Sequence, residues 1–199
     1  FEQQTGARQY GHVVLKLEPL ERGAGFEFSN EIDEATIPSQ FLAAIERGVK
    51  DTLDSGPLVG YPLTDIKVRL TGGSYDEEDS TEMAFGVSAS MAVRKTAAEA
   101  QPVLLEPIMD LEVVTPEEYV GDAISDLNSK RARITGVEAE KDIQIIRAHV
   151  PLSEMFGYVT TLRTLSSGRA TSSMEFHSYA QAPEFVKEEV VKKVKGIIS

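Results

Sequence analysis

Residues 12–19, HVVLKLEP, place apolar Val13, Leu15 and Leu17 at alternate positions, and this period of two predicts a strand with one buried face. A turn follows at Pro19 and the RGAG of residues 22–25, and FEFSNEI from Phe26 resumes as a second strand. From Pro38 to Asp54 the spacing changes. Phe41, Leu42, Ile45, Val49 and Leu53 recur every three or four positions, which predicts a helix begun at Pro38 and stopped by the SGP of residues 55–57. TDIKVRL, residues 64–70, is a third alternating strand. Residues 83–100 then read as a long Ala-rich helix, capped by Asp79 or Ser80, with Glu82 supplying the carboxylate of a capping-box-like start.

The second half repeats neither the strings nor the order of the first. QPVLLEPIMDLEVVTP is rich in strand formers between Pro102 and Pro116, and PEEYVGDAISDLNSKRA carries Tyr119, Ile124 and Leu127 on one helical stripe. Next come a strand (RITGVE), a polar turn near Ala139 to Asp142, and another strand (IQIIRAHVP). A helix in LSEMFGYVTTLRTLSSG ends at Gly168, a strand in RATSSMEFHSYA leads to Pro183, and a Lys/Glu-rich terminal helix closes the chain. The order β-α-β-β-α-β is the split βαβ of the ferredoxin-like fold. The expected class is therefore α+β in two modules, residues 1–101 and 102–199.

Composition narrows the function. The chain has 199 residues, 41% apolar, with a formal charge of −12, which suits folded domains rather than disorder. Residues 1–100 hold 9 basic and 17 acidic side chains, and residues 101–199 hold 11 and 15. Neither half is basic, so any contact with nucleic acid must be local. No apolar run reaches the eighteen or so residues of a membrane helix. Without cysteine there is no thiolate metal site or cysteine nucleophile, which fits a reducing cytoplasm. A start at Phe1 rather than Met is expected of a fragment or a processed product.

Catalytic motifs are missing from the sequence. It contains no GxxxxGK[ST], HExxH or GxSxG string. His12, His149 and His177 are scattered, and each reads as a structural or surface histidine. In GGSYDEEDSTEMAF, residues 72–85, four acids stand together, more negative charge than a helix start needs. They lack the spaced DxDxDG pattern that wraps one cation, so no metal is expected. No catalytic residue is expected either.

The strings QTGARQYGHV, SGPLVGYP, GGSYDEEDSTEMAF, LEPIMDLEVVTPEEYVGDAISDLNSKRARI and VPLSEMFGYVTTLRTLSSGRATSSMEF resemble the C-terminal part of bacterial elongation factor G, its fourth and fifth domains. The resemblance covers nearly the whole chain. It implies a fourth domain with an unusual βαβ crossover and a ferredoxin-like fifth domain. It also implies the ribosome-binding region of a translational GTPase that promotes tRNA–mRNA translocation. GTP and Mg²⁺ would belong to the full-length factor only, so no cofactor and no activity are expected of this fragment alone.

The implied partners are the small-subunit decoding region with tRNA and mRNA, large-subunit ribosomal RNA and the stalk base. No membrane is implied, and a cytoplasmic monomer is expected. Two loops would form the tip that meets RNA: Gln4, Thr5, Gly6, Arg8 and Gln9 in the first, and Gly73, Ser74, Tyr75, Asp76 and Glu77 in the second. The amides, hydroxyl and guanidinium of the first loop can meet phosphates, riboses and base edges, although from the residues without the resemblance a plain polar surface turn is the preferred reading.

In the second module Lys130, Arg131 and Arg133 could contact phosphate or complement a helix C-terminus. Gly157, Tyr158, Arg163 and Arg169 belong either to packing or to a ribosome-facing surface. The chain departs from the family at the tip. Arg8 is followed directly by Gln9, where relatives commonly insert glycine, and Asp76 stands where they usually carry histidine. A carboxylate repels phosphate and cannot donate to it, so Asp76 is expected to handicap the tip. A paralogue acting in ribosome recycling or stalling relief, or an acidic face for a basic ribosomal protein, are the alternative readings.

Overall fold

The computed structural model describes residues 9–198. The chain divides into two compact units, one of residues 1–102 with 189–199 and one of residues 103–188.

In the first unit β1 (His12–Pro19), β2 (Phe26–Asn30) and β3 (Ile66–Ser74) form a sheet in the order β1-β3-β2. The middle strand runs antiparallel to β1 and parallel to β2, so β2, helix α1 (Leu42–Ser55) and β3 make a βαβ crossover between neighbours. Parallel pairing requires such a connection, because a tight turn can only reverse the chain. Helix α2 (Glu82–Glu99) follows. The alternation read from the sequence puts Val13, Val68 and Leu70 into one core with Ile45, Val49 and Leu53 of α1 and Phe85, Ala89 and Val93 of α2. Burying one such side chain completely contributes roughly 1.5–3 kcal/mol. The rings of Phe41 and Phe85 meet at 4.8 Å between centroids.

The start of α2 differs from expectation. Its cap is Thr81, in extended backbone, whose hydroxyl accepts the N–H of Ala84 at 3.1 Å. The Ser80 hydroxyl is engaged elsewhere, accepting the N–H of Asp76, and the Asp79 carbonyl accepts that of Tyr10. With Thr81 as cap, Glu82 is the first helical residue and sits too early to complete a capping box.

The second unit runs β4 (Leu105–Pro116), α3 (Val120–Ser129), β5 (Arg133–Glu140), β6 (Ile143–Pro151), α4 (Tyr158–Leu165) and β7 (Thr171–Gln181). Its strands pair antiparallel in the order β5-β6-β4-β7, which is the ferredoxin-like arrangement. The class is α+β, as the sequence predicts. Leu111, Val113, Ile146 and Val150 of the sheet bury against Ala123 and Leu127 of α3 and Tyr158 and Leu162 of α4.

The predicted helix over residues 152–168 is shorter and broken. A single 3₁₀ turn spans Leu152–Glu154, and α4 starts only after Gly157, whose φ of 79° is left-handed. A side chain there would strain the backbone, so the break is encoded by that glycine. Helix α5 (Glu184–Ile198) ends the chain. Among the described residues no helix is long and apolar enough to cross a membrane.

Candidate nucleic-acid interface

His12 and Ser74 are register partners, so the chain entering β1 and the chain leaving β3 emerge at the same end of the first sheet. The two segments are then tied together. Tyr10 donates its N–H to the Asp79 carbonyl at 2.8 Å and forms an isolated parallel bridge with Ser80. The Ser74 hydroxyl lies 2.7 Å from the Tyr10 hydroxyl and 3.0 Å from Nδ1 of His12. Gln9 is thereby brought beside residues 79–80. Gln4, Thr5, Gly6 and Arg8 lie outside the described residues.

Gly73 is what lets the strands close so tightly at this end. A Cβ there would collide with the His12 carbonyl oxygen and stand 2.6 Å from Cδ1 of Ile37. Tyr75 packs against the core of the first unit. Gly73, Ser74 and Tyr75 therefore build the base of the loop, and Asp76, Glu77 and Glu78 are the exposed part.

Within that exposed part the acids differ. Asp76 Oδ1 accepts the N–H groups of both Glu78 and Asp79, the backbone-mimicking turn that aspartate favours. Two reciprocal bonds close the loop, from Asp76 N–H to the Ser80 hydroxyl at 2.9 Å and from Ser80 N–H to the Asp76 carbonyl at 3.1 Å. The Asp76 carboxylate is thus a folding element of the loop. Glu77 and Glu78 carry the outward negative charge.

The basic residues of the second unit separate into distinct roles. Arg131 is committed to carboxylates: its two Nη atoms each lie 2.8 Å from an oxygen of the buried Glu106, and Nε lies 2.9 Å from Glu154. Glu106 first, and Glu154 after it, push the guanidinium well above its ordinary value. Arg169 pairs with Glu118 and lies over the ring of Tyr119, at 5.8 Å from its centroid. Arg133 places Nη2 3.3 Å from Nδ1 of His149. Lys130 and Arg163 make no side-chain ion pair among the described residues, and Arg163 is exposed in the last turn of α4. Tyr158 is core, 2% exposed, and burial, then the charge of Asp126, raises its hydroxyl above the ordinary value.

Nothing in linear spacing signals one further meeting. Asp110, His149 and His177, from three different strands, come together on the second sheet.

Residues 1–101 match the model of elongation factor G, domain IV, and residues 103–190 that of the elongation factor G C-terminus. A two-unit α+β fragment of a translation factor is the class so defined. The chain is 64% identical over 198 residues to "Elongation factor G 2" of Desulfotalea psychrophila, covering 99% of this chain and 29% of the relative. It is 51% identical over 192 residues to "Elongation factor G" of Aquifex pyrophilus, covering 96% and 28%. A crystal structure of a Thermus thermophilus protein superposes with a TM-score of 0.83 at 40% identity, covering 98% of this chain and 29% of that one. The chain belongs to the elongation factor G family, and it spans under a third of the length of these relatives.

Proposed function

We propose that this chain is the ribosome-binding C-terminal region of a translational GTPase that promotes tRNA–mRNA translocation. The paired loops at residues 4–9 and 72–79 enter the decoding region of the small subunit, and the second unit faces large-subunit ribosomal RNA and the stalk base. The observation that supports this reading is the tie between Tyr10 and Asp79–Ser80, which brings the chain entering β1 beside the end of the 72–79 loop. GTP hydrolysis with Mg²⁺ is the work of the rest of the full-length factor. The residues here do not suit a nucleoside triphosphate: the sequence holds no GxxxxGK[ST] string, and the first turns of α2 and α3 carry Glu82 and Asp122, which repel phosphate.

Contact with RNA, on this reading, is made by polar and main-chain groups of the tip, against an unfavourable background of −12. The exposed Glu77 and Glu78 favour a second reading, a paralogue that works in ribosome recycling or stalling relief with weak translocation. The test is polypeptide synthesis by the full-length factor in a purified translation system lacking its usual translocase. Sustained synthesis supports the first reading. Subunit splitting without synthesis supports the second, and neither activity contradicts both.

A further inference from the structure

We propose that Asp110, His149 and His177 form a binding site for a borderline divalent transition ion of the Zn²⁺ class. Asp110 lies on the central strand β4 directly opposite His149 of β6. His177 arrives from the other side, on β7, and its placement has a local cause. Met109 pairs with Phe176 and Ile108 with Ser178, so His177 is the extra residue of a β-bulge. Bulges re-aim a side chain, and this one brings the ring over Asp110.

Nε2 of His149 lies 2.9 Å from Asp110 Oδ1, and Nδ1 of His177 lies 2.9 Å from Oδ2. The two imidazoles stack with centroids 4.2 Å apart and 24° between planes. One ligand atom from each of the three residues falls within 4.8 Å of the others. Bonds of about 2.1 Å to a tetrahedral ion separate ligand atoms by roughly 3.4 Å, so small side-chain rotations complete the site. The side chains are 53%, 24% and 41% exposed for Asp110, His149 and His177, which leaves solvent to supply the remaining position. Two imidazole nitrogens with one carboxylate suit Zn²⁺, Ni²⁺ or Cu²⁺, whereas Mg²⁺ and Ca²⁺ favour all-oxygen shells.

Arg133 works against the ion. A guanidinium can only donate, so its approach to Nδ1 of His149 assigns the ring proton to Nε2, the atom that must bind metal. Loading moves that proton to Nδ1 and turns the exposed Arg133 toward solvent.

The test is calorimetric titration of the 199-residue chain with ZnCl₂, alongside NMR of its three histidine rings. One equivalent should bind, shifting the rings of His149 and His177 while His12 stays still. His149→Ala and His177→Ala should each weaken binding about tenfold or more. Arg133→Ala should tighten it or leave it unchanged, and excess Mg²⁺ should not compete. Absence of heat overturns the proposal. So does binding that survives the His149→Ala/His177→Ala double variant, a shift confined to His12, weaker binding in Arg133→Ala, or displacement by Mg²⁺.

Discussion

Asp76 Oδ1 accepts the backbone N–H of Glu78 and of Asp79, each at 2.9 Å, so this acidic residue folds the loop that carries it. Asparagine keeps that acceptor and removes the charge; alanine removes both. Asp76→Asn is therefore expected to retain slow amide exchange at Glu78 and Asp79, and Asp76→Ala to speed it several-fold, roughly tenfold. Equal exchange in the two variants would show that the charge, not the turn, is what the position needs.

Gly73→Ala is expected to destabilise the first unit. The new methyl meets a main-chain carbonyl that cannot retreat without opening the β1–β3 pair, together with Ile37 of the core. Overpacking of this kind costs roughly 1–3 kcal/mol, read as a lower urea midpoint. An unchanged midpoint would mean that the strand ends are looser than their register implies.

Arg131 and its basic neighbours should separate in experiment. Arg131→Met leaves Glu106, buried and doubly bonded, without its partner. That should cost roughly 2–4 kcal/mol in unfolding of the second unit. Lys130→Ala and Arg163→Ala should leave stability nearly unchanged but weaken ribosome binding by the full-length factor. Each lost phosphate contact should lower the slope of affinity against salt by about one unit or less. If Arg131→Met were stable and binding-defective instead, its carboxylate fork would not be its main role.

Acid should weaken the first unit through Arg69. Glu18 is held below the ordinary glutamate value of 4.5 by Lys16 and then Arg69, and Glu31 by Arg69. A carboxyl that ionises more readily folded than unfolded adds stability above its unfolded value, and that share is lost as pH falls through the folded one. Stability measured by urea from about pH 7 to pH 3 should therefore fall below the ordinary glutamate range, and more shallowly in Arg69→Met. Both carboxylates are solvated, so the difference should be small. Parallel curves for the two proteins would remove Arg69 as the cause.

Local pattern carried much of this fold. HVVLKLEP and IQIIRAHVP read as strands because one face of each is buried, and the Ile45–Val49–Leu53 spacing reads as a helix for the same reason. What pattern could not carry was choice among equivalent neighbours. Asp79, Ser80 and Thr81 are all competent caps by type; Thr81 takes the role, and the Ser80 hydroxyl is used instead by the N–H of Asp76. LSEMFGYVTTLRTL has helical composition throughout, but the left-handed backbone at Gly157 restarts it.

The candidate site divides the same way. Ser74 and Tyr75 were legible as loop residues, but their bonds to Tyr10 and His12 and contact with the core required the β1–β3 register. For Arg131 the sequence offers phosphate contact or a helix C-terminus, and its bonds to Glu106 and Glu154 stay hidden because both are far from it in sequence. Asp110, His149 and His177 were invisible together because three strands and a bulge assemble them.

On the proposed function, residues 72–79 form part of a working tip that meets RNA. A photo-crosslinking side chain at Glu77 of the full-length factor, trapped on the ribosome with a non-hydrolysable GTP analogue, tests it directly. Crosslinks to small-subunit ribosomal RNA of the decoding region, or to the tRNA and mRNA held there, are expected. Crosslinks to a basic ribosomal protein alone, or to large-subunit RNA alone, would contradict it.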